Sequence, residues 1–94
     1  MRKLVAASLA ALALGVASSA SADPIKVGFI TTLSGGGAGL GVDARDGFLL
    51  GLKNAGDAAK EITVVTEDDG QKPELAVQIA DKMIQSDQVD ILTG

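Results

Sequence analysis

Between Thr31 and Gly41 the chain reads Thr31-Thr32-Leu33-Ser34-Gly35-Gly36-Gly37-Ala38-Gly39-Leu40-Gly41, the one segment that invites a chemical reading. Its glycines allow backbone close to a ligand, and its hydroxyls and amides can point at a carboxylate near a helix N-terminus. Nucleotide phosphates fit less well. A dinucleotide fingerprint needs Gly at relative positions one, three and six, and no start in this stretch supplies them. Gly36 and Gly41 have Walker A spacing, but Val42-Asp43 follows where Lys and Ser or Thr belong. The other reading is a flexible connection with no ligand, because glycine-rich loops are often only turns.

The remaining candidate is Glu67-Asp68-Asp69, ahead of Gly70. As a calcium loop it fails, since Val65 stands where the first ligand of an EF-hand belongs. As a turn it is ordinary, with Asp side chains bonding nearby amides. The chain contains neither His nor Cys, so Ser-His and Cys-His nucleophile pairs, zinc clusters and thiol redox motifs drop out. No catalytic residue, metal ligand or cofactor is expected.

The elements that must hold the glycine loop alternate strictly. Ile25-Lys26-Val27-Gly28-Phe29-Ile30-Thr31 is rich in β-branched residues and apolar on both faces, as suits a strand covered on both sides. From Gly41 to Ala55 the period is helical, with Ala44, Phe48, Gly51, Leu52 and Ala55 on one stripe and Asp43, Asp46 and Lys53 opposite. Gly47 and Gly51 each cost about 1 kcal/mol against Ala, which close approach of the helix to the sheet would offset. Leu50 falls on the polar side. Glu61 to Thr66 is the second strand and Glu67 to Gly70 a turn. Pro73 sits at a first helical position, with Glu74 beside it to complement the helix dipole. Leu75, Ala76, Ile79, Ala80 and Met83 then form a wide apolar stripe. Val89-Asp90-Ile91-Leu92 opens a third strand.

Strand-helix-strand-helix-strand predicts an α/β fold with parallel strands and right-handed crossovers. By analogy with doubly wound sheets the strand order is 2-1-3, and ligands bind outside the carboxyl ends of strands at such a switch. That rim would be lined by Thr31 to Gly41 and by whatever follows Thr93.

The first 22 residues read as a secretory signal peptide. Arg2 and Lys3 precede an apolar run from Leu4 to Val16, and small residues end in Ala20-Ser21-Ala22. The run covers 13 residues, whereas a membrane span needs roughly 20. Cleavage after Ala22 would expose Asp23, not the Cys that a lipid anchor requires, so a soluble exported product is expected. Losing Arg2 and Lys3 leaves six basic residues against twelve acidic ones, a net charge of −6. That sign disfavours nucleic acid and anionic membrane surfaces as partners. With no disulfide, no metal staple and only Phe29 and Phe48 as aromatics, residues 23–94 have few means to reinforce a small core. They are expected to be the N-terminal part of a larger lobe.

Taken in order, the leader, Ile25-Lys26-Val27-Gly28, Leu33-Ser34-Gly35, Gly41 with Asp46-Gly47, Glu67-Asp68-Asp69, Pro73 with Ala76-Val77, and Val89-Asp90-Ile91 running to Gly94 resemble the start of a type I periplasmic binding protein. The resemblance is to the branched-chain-amino-acid-binding (Leu/Ile/Val) proteins of ABC importers and covers the whole segment after the leader. It implies two lobes closing on a small solute at a hinge, a periplasmic location, and docking on a membrane permease. Residues 23–94 would supply the first three strands of lobe one. In the family the loop after strand one lines the cleft, and the residue before the equivalent of Gly41, here Leu40, can touch the ligand side chain. The resemblance therefore implies Thr32, Ser34, Leu40 and Gly94 as ligand-binding positions. Thr31-Thr32-Leu33-Ser34 is also similar to a subgroup that takes up aromatic or other organic acids. An extracytoplasmic sensor of the same fold, or an exported α/β enzyme with its catalytic residues beyond Gly94, are the alternatives.

Overall fold

The computed structural model describes residues 23–94; the signal peptide expected at residues 1–22 lies outside them. Three strands alternate with two helices: β1 (Ile25–Thr31), α1 (Ala38–Ala55), β2 (Ile62–Asp68), α2 (Pro73–Gln85) and β3 (Ile91–Thr93), with a 3₁₀ turn at Gly56–Ala59 after α1. The sheet is parallel, as the alternation predicts, and ordered β2-β1-β3, as the analogy with doubly wound sheets predicts. β1 and β2 run in step from Ile25 opposite Ile62 to Thr31 opposite Asp68. β3 pairs from Val27 opposite Ile91 to Phe29 opposite Thr93.

The first crossover runs from central β1 out to β2, and the second back from β2 past β1 to β3. Right-handed connections in these opposite directions put the two helices on opposite faces of the sheet. Alternate residues of β1 record this. On one face Phe29 stacks on Phe48 of α1, ring centroids 5.0 Å apart and tilted by 32°. On the other face Gly28 lies under α2, where a Cβ would sit 2.7 Å from Met83 Sδ. Val27, Phe29, Ile79 and Met83 form the buried apolar core, and Met83 has no exposure at all. At the amino edge, Lys26 N donates to Asp90 Oδ2 (2.8 Å), while Asp90 N donates back to the Lys26 carbonyl (2.7 Å). This reciprocal pair sets the register in which β3 enters the sheet.

Several expected boundaries move. α1 begins at Ala38, three residues before Gly41, although glycines at 37 and 39 are poor helix formers. Tertiary contact overrides propensity there, because the first turn lies directly on the end of β1. β2 continues through Glu67 and Asp68, so the turn starts at Asp69. The β3 ladder starts at Ile91 instead of Val89. The close approach expected at Gly47 and Gly51 is absent: a Cβ on either would meet nothing within 4 Å. It occurs instead at Gly41, where a Cβ would lie 1.7 Å from the Thr32 carbonyl oxygen. Of the expected α1 stripe, Phe48 and Leu52 are half-buried whereas Ala44, Gly51 and Ala55 are exposed.

Candidate functional site

The glycine loop leaves the sheet at the carboxyl end of β1 and returns at once as α1. Buried Thr31 ends the strand, and its Oγ1 donates to the Gly41 carbonyl (3.2 Å). Only glycine fits at 41, because the helix backbone rests against the Thr32 backbone. The loop is thus folded tightly over the strand end.

The second strand–helix connection holds the loop in place. Because β2 is in step with β1, Asp68 arrives beside Thr31 and its carboxylate reaches the loop. Leu33 N donates to Asp68 Oδ1 (2.8 Å) and Ser34 Oγ to Asp68 Oδ2 (2.6 Å). Thr32 Oγ1 donates to Asp69 Oδ1 (2.7 Å), and Asp69 N donates to the Thr31 carbonyl (3.0 Å). The same carboxylates fold their own turn, accepting from Gly70 N and Gln71 N, each at 2.8 Å. Gln71 Oε1 in turn accepts from Gly37 N (3.2 Å). Glu67 stands apart, paired with Lys82 of α2 at 3.0 Å. Among the described residues the ion pairs are those of Lys82 with Glu67 and Asp87 and of Arg45 with Asp46. Asp68 and Asp69 are therefore held by hydrogen bonds, with no Lys or Arg among the described residues paired to them.

The Ser34 hydroxyl, followed by the Leu33 and Gly70 amides, lowers the Asp68 carboxyl from 3.8 to about 2, against a smaller opposing effect of desolvation. A depressed carboxyl stabilises the folded state above its unfolded value and loses that contribution as pH falls through the folded one. Asp68→Asn should therefore be less stable than wild type at pH 7, with the gap closing between pH 3.8 and about 2. Urea unfolding of both proteins across that window checks this; a gap that is constant with pH would contradict it.

The four positions implied as ligand contacts all lie at the carboxyl edge of the sheet. Thr32 follows β1 directly and is half-buried, and Ser34 is exposed. Each hydroxyl has one proton and directs it at a carboxylate, so what it can still offer a further partner is acceptor capacity. Leu40, in the first turn of α1, is 82% exposed, the most open large apolar side chain among the described residues. Gly94, after β3, has φ of +142°, and a Cβ there would lie 1.8 Å from the Ile30 carbonyl oxygen. It thus abuts β1 two residues before Thr32.

The loop is legible in the sequence, whereas the groups that hold it are not. Asp68 and Asp69 read as a local turn, and only the in-step pairing of Ile25 with Ile62 carries them to the loop. Gln71 gave no signal.

A family model described as periplasmic binding protein matches residues 24–94. Among solved structures, an ABC transporter substrate-binding protein from Sphaerobacter thermophilus is similar at 29% identity with a TM-score of 0.69, over 74% of this chain and 19% of that one. The branched-chain amino acid transporter substrate binding protein LivJ from Streptococcus pneumoniae, solved in complex with isoleucine, is similar at 25% identity with a TM-score of 0.70, over 77% and 22%. The chain thus spans about a fifth of the length of these structures. No curated protein matches it.

Proposed function

The chain belongs to the periplasmic binding protein family, and on that premise we propose that it is the opening part of lobe one of an exported solute receptor for an ABC importer. The solute is an amino acid or a small carboxylate, aromatic ones included, bound without chemical turnover. Thr32, Ser34, Leu40 and Gly94 form the lobe-one side of the mouth. The observation that carries this reading is the convergence of a glycine loop and the end of β3 on the carboxyl edge of β1, where an open parallel sheet binds its ligands. Leu40 supports it, since a Leu so exposed at the rim offers apolar surface to a ligand side chain.

Further support comes from the similar structures, which are substrate-binding proteins, one of them holding isoleucine. Ile91 and Leu92 leave the β3 edge 52% and 38% exposed, which suits a further strand of a larger lobe. In this reading residues 1–22 are a cleaved signal peptide, the mature protein resides in the periplasm, and its partner is a membrane permease. Among the described residues no helix is long and apolar enough to cross a membrane.

Isothermal titration of the complete mature protein with L-leucine, L-isoleucine, L-phenylalanine and benzoate tests the proposal. Saturable one-to-one heat with at least one of these is expected, without consumption of the solute. No heat from any of them would overturn it, and turnover of the solute would favour the enzyme alternative.

A further inference from the structure

We infer that Gln71 is a positioning residue for the solute loop, supplying from the neighbouring connection the N-terminal cap that α1 cannot supply for itself; the inference rests on the solute-binding reading above. Helix N-termini leave backbone N–H groups without intrahelical partners, and a Ser, Thr, Asp or Asn at the N-cap normally accepts from one of them. α1 starts instead from Gly37, preceded by Gly36 and Gly35, and it has no side-chain cap of its own. Gln71 Oε1 serves another of these groups from 34 residues away, accepting from the N–H of the N-cap residue Gly37 itself at 3.2 Å, as the Glu or Gln of a capping box does. The fit is close, because a Cβ on Gly37 would sit 3.3 Å from the Gln71 amide.

The backbone of Gln71 shows why this is more than a chance surface contact. Its φ is +64°, directly after Gly70 at +57°, a left-handed conformation that residues other than Gly, Asn and Asp seldom adopt. The conformation is held by Asp69 Oδ1, which accepts from Gln71 N while also accepting from Thr32 Oγ1. One carboxylate oxygen thus links the β1 end of the loop to the residue that caps its α1 end. Between those two anchors lie Ser34 and the glycines, and one turn beyond the cap lies Leu40. Fixing both ends of the loop fixes the geometry of the mouth before a solute arrives, and preorganisation of this kind raises affinity.

Gln71→Gly separates positioning from stability, because it removes the cap while placing the residue best suited to a positive φ. In the complete unliganded protein, hydrogen exchange at the amides of residues 37–40 should accelerate while the melting temperature holds or rises. Affinity for the tightest binder among L-leucine, L-isoleucine, L-phenylalanine and benzoate should weaken roughly fivefold, the equivalent of one lost cap. Gln71→Glu keeps an acceptor oxygen next to the helix N-terminus and should restore both protection and affinity. Unchanged exchange at 37–40 in Gln71→Gly, or failure of Gln71→Glu to restore it, would overturn the inference. If none of the four solutes binds wild type, the solute-binding reading fails, while the exchange comparison still decides whether Gln71 caps the loop.

Discussion

Replacing Gly41 by Ala should destabilise the protein by about 3 kcal/mol or more, the upper end of the range for overpacked sites, while Gly47→Ala stabilises it by up to about 1 kcal/mol. The two glycines lie on one helix, six residues apart, and a propensity scale treats them alike. Their surroundings differ completely. At Gly41 an added Cβ would stand 1.7 Å from the Thr32 carbonyl oxygen, 2.5 Å from its carbon and 2.8 Å from its nitrogen. These are backbone atoms at the end of the central strand and cannot rotate aside as a side chain can. Relief requires α1 to lift off the strand end, breaking the bond from Thr31 Oγ1 to the Gly41 carbonyl and displacing the loop. At Gly47 the added methyl enters open space, and only the lower conformational freedom of Ala in the unfolded chain remains. Urea unfolding of the two variants beside wild type measures both. Equal effects of the same sign would show that α1 does not approach the sheet at Gly41.

Met83→Ala should cost about 2–5 kcal/mol, the usual range for truncating a buried Met. Met83 is the one large side chain among the described residues with no exposure, and it plugs the space above Gly28 on the α2 face. The same geometry makes a second, linked expectation. Gly28→Ala alone places a methyl 2.7 Å from Met83 Sδ and 3.0 Å from Leu92 Cδ2, which strains the core. With Met83 truncated, the same methyl enters the space vacated, so Gly28→Ala should be milder in the Met83→Ala background. A double-mutant cycle reads this coupling directly. Strict additivity would mean that Gly28 and Met83 do not share a cavity.

What was legible in the sequence followed from pattern, and what was hidden depended on contacts between distant residues. β1 appears with its full bounds because a seven-residue run rich in β-branched and apolar types lies between Pro24 and the loop. α2 starts at Pro73, where a fixed φ and a missing N–H suit the first helical turn. Alternation of the elements implied the parallel pairing, and analogy with doubly wound sheets supplied the strand order. The start of α1 could not be read this way. Gly37-Ala38-Gly39 has the composition of a loop, and it becomes helix only because Gly41 rests on Thr32 and Gln71 caps Gly37. Likewise Glu67 and Asp68 have turn composition, yet β1 lends them a pairing partner as far as Thr31. Gly47 and Gly51 remain unexplained by packing. Of the site, the loop and its position on the strand edge were visible, but the carboxylates and the amide that clamp it were not. Their partners lie 34 to 37 residues away in the chain.

The most direct test of a solute mouth built from the glycine loop is a hydrogen-exchange footprint of the complete mature protein, with and without a saturating solute. Strong added protection is expected at the amides of residues 32–40 and at Gly94, beyond any general slowing from closure of the lobes. A solute that binds with full occupancy while the exchange of those residues stays unchanged would contradict it.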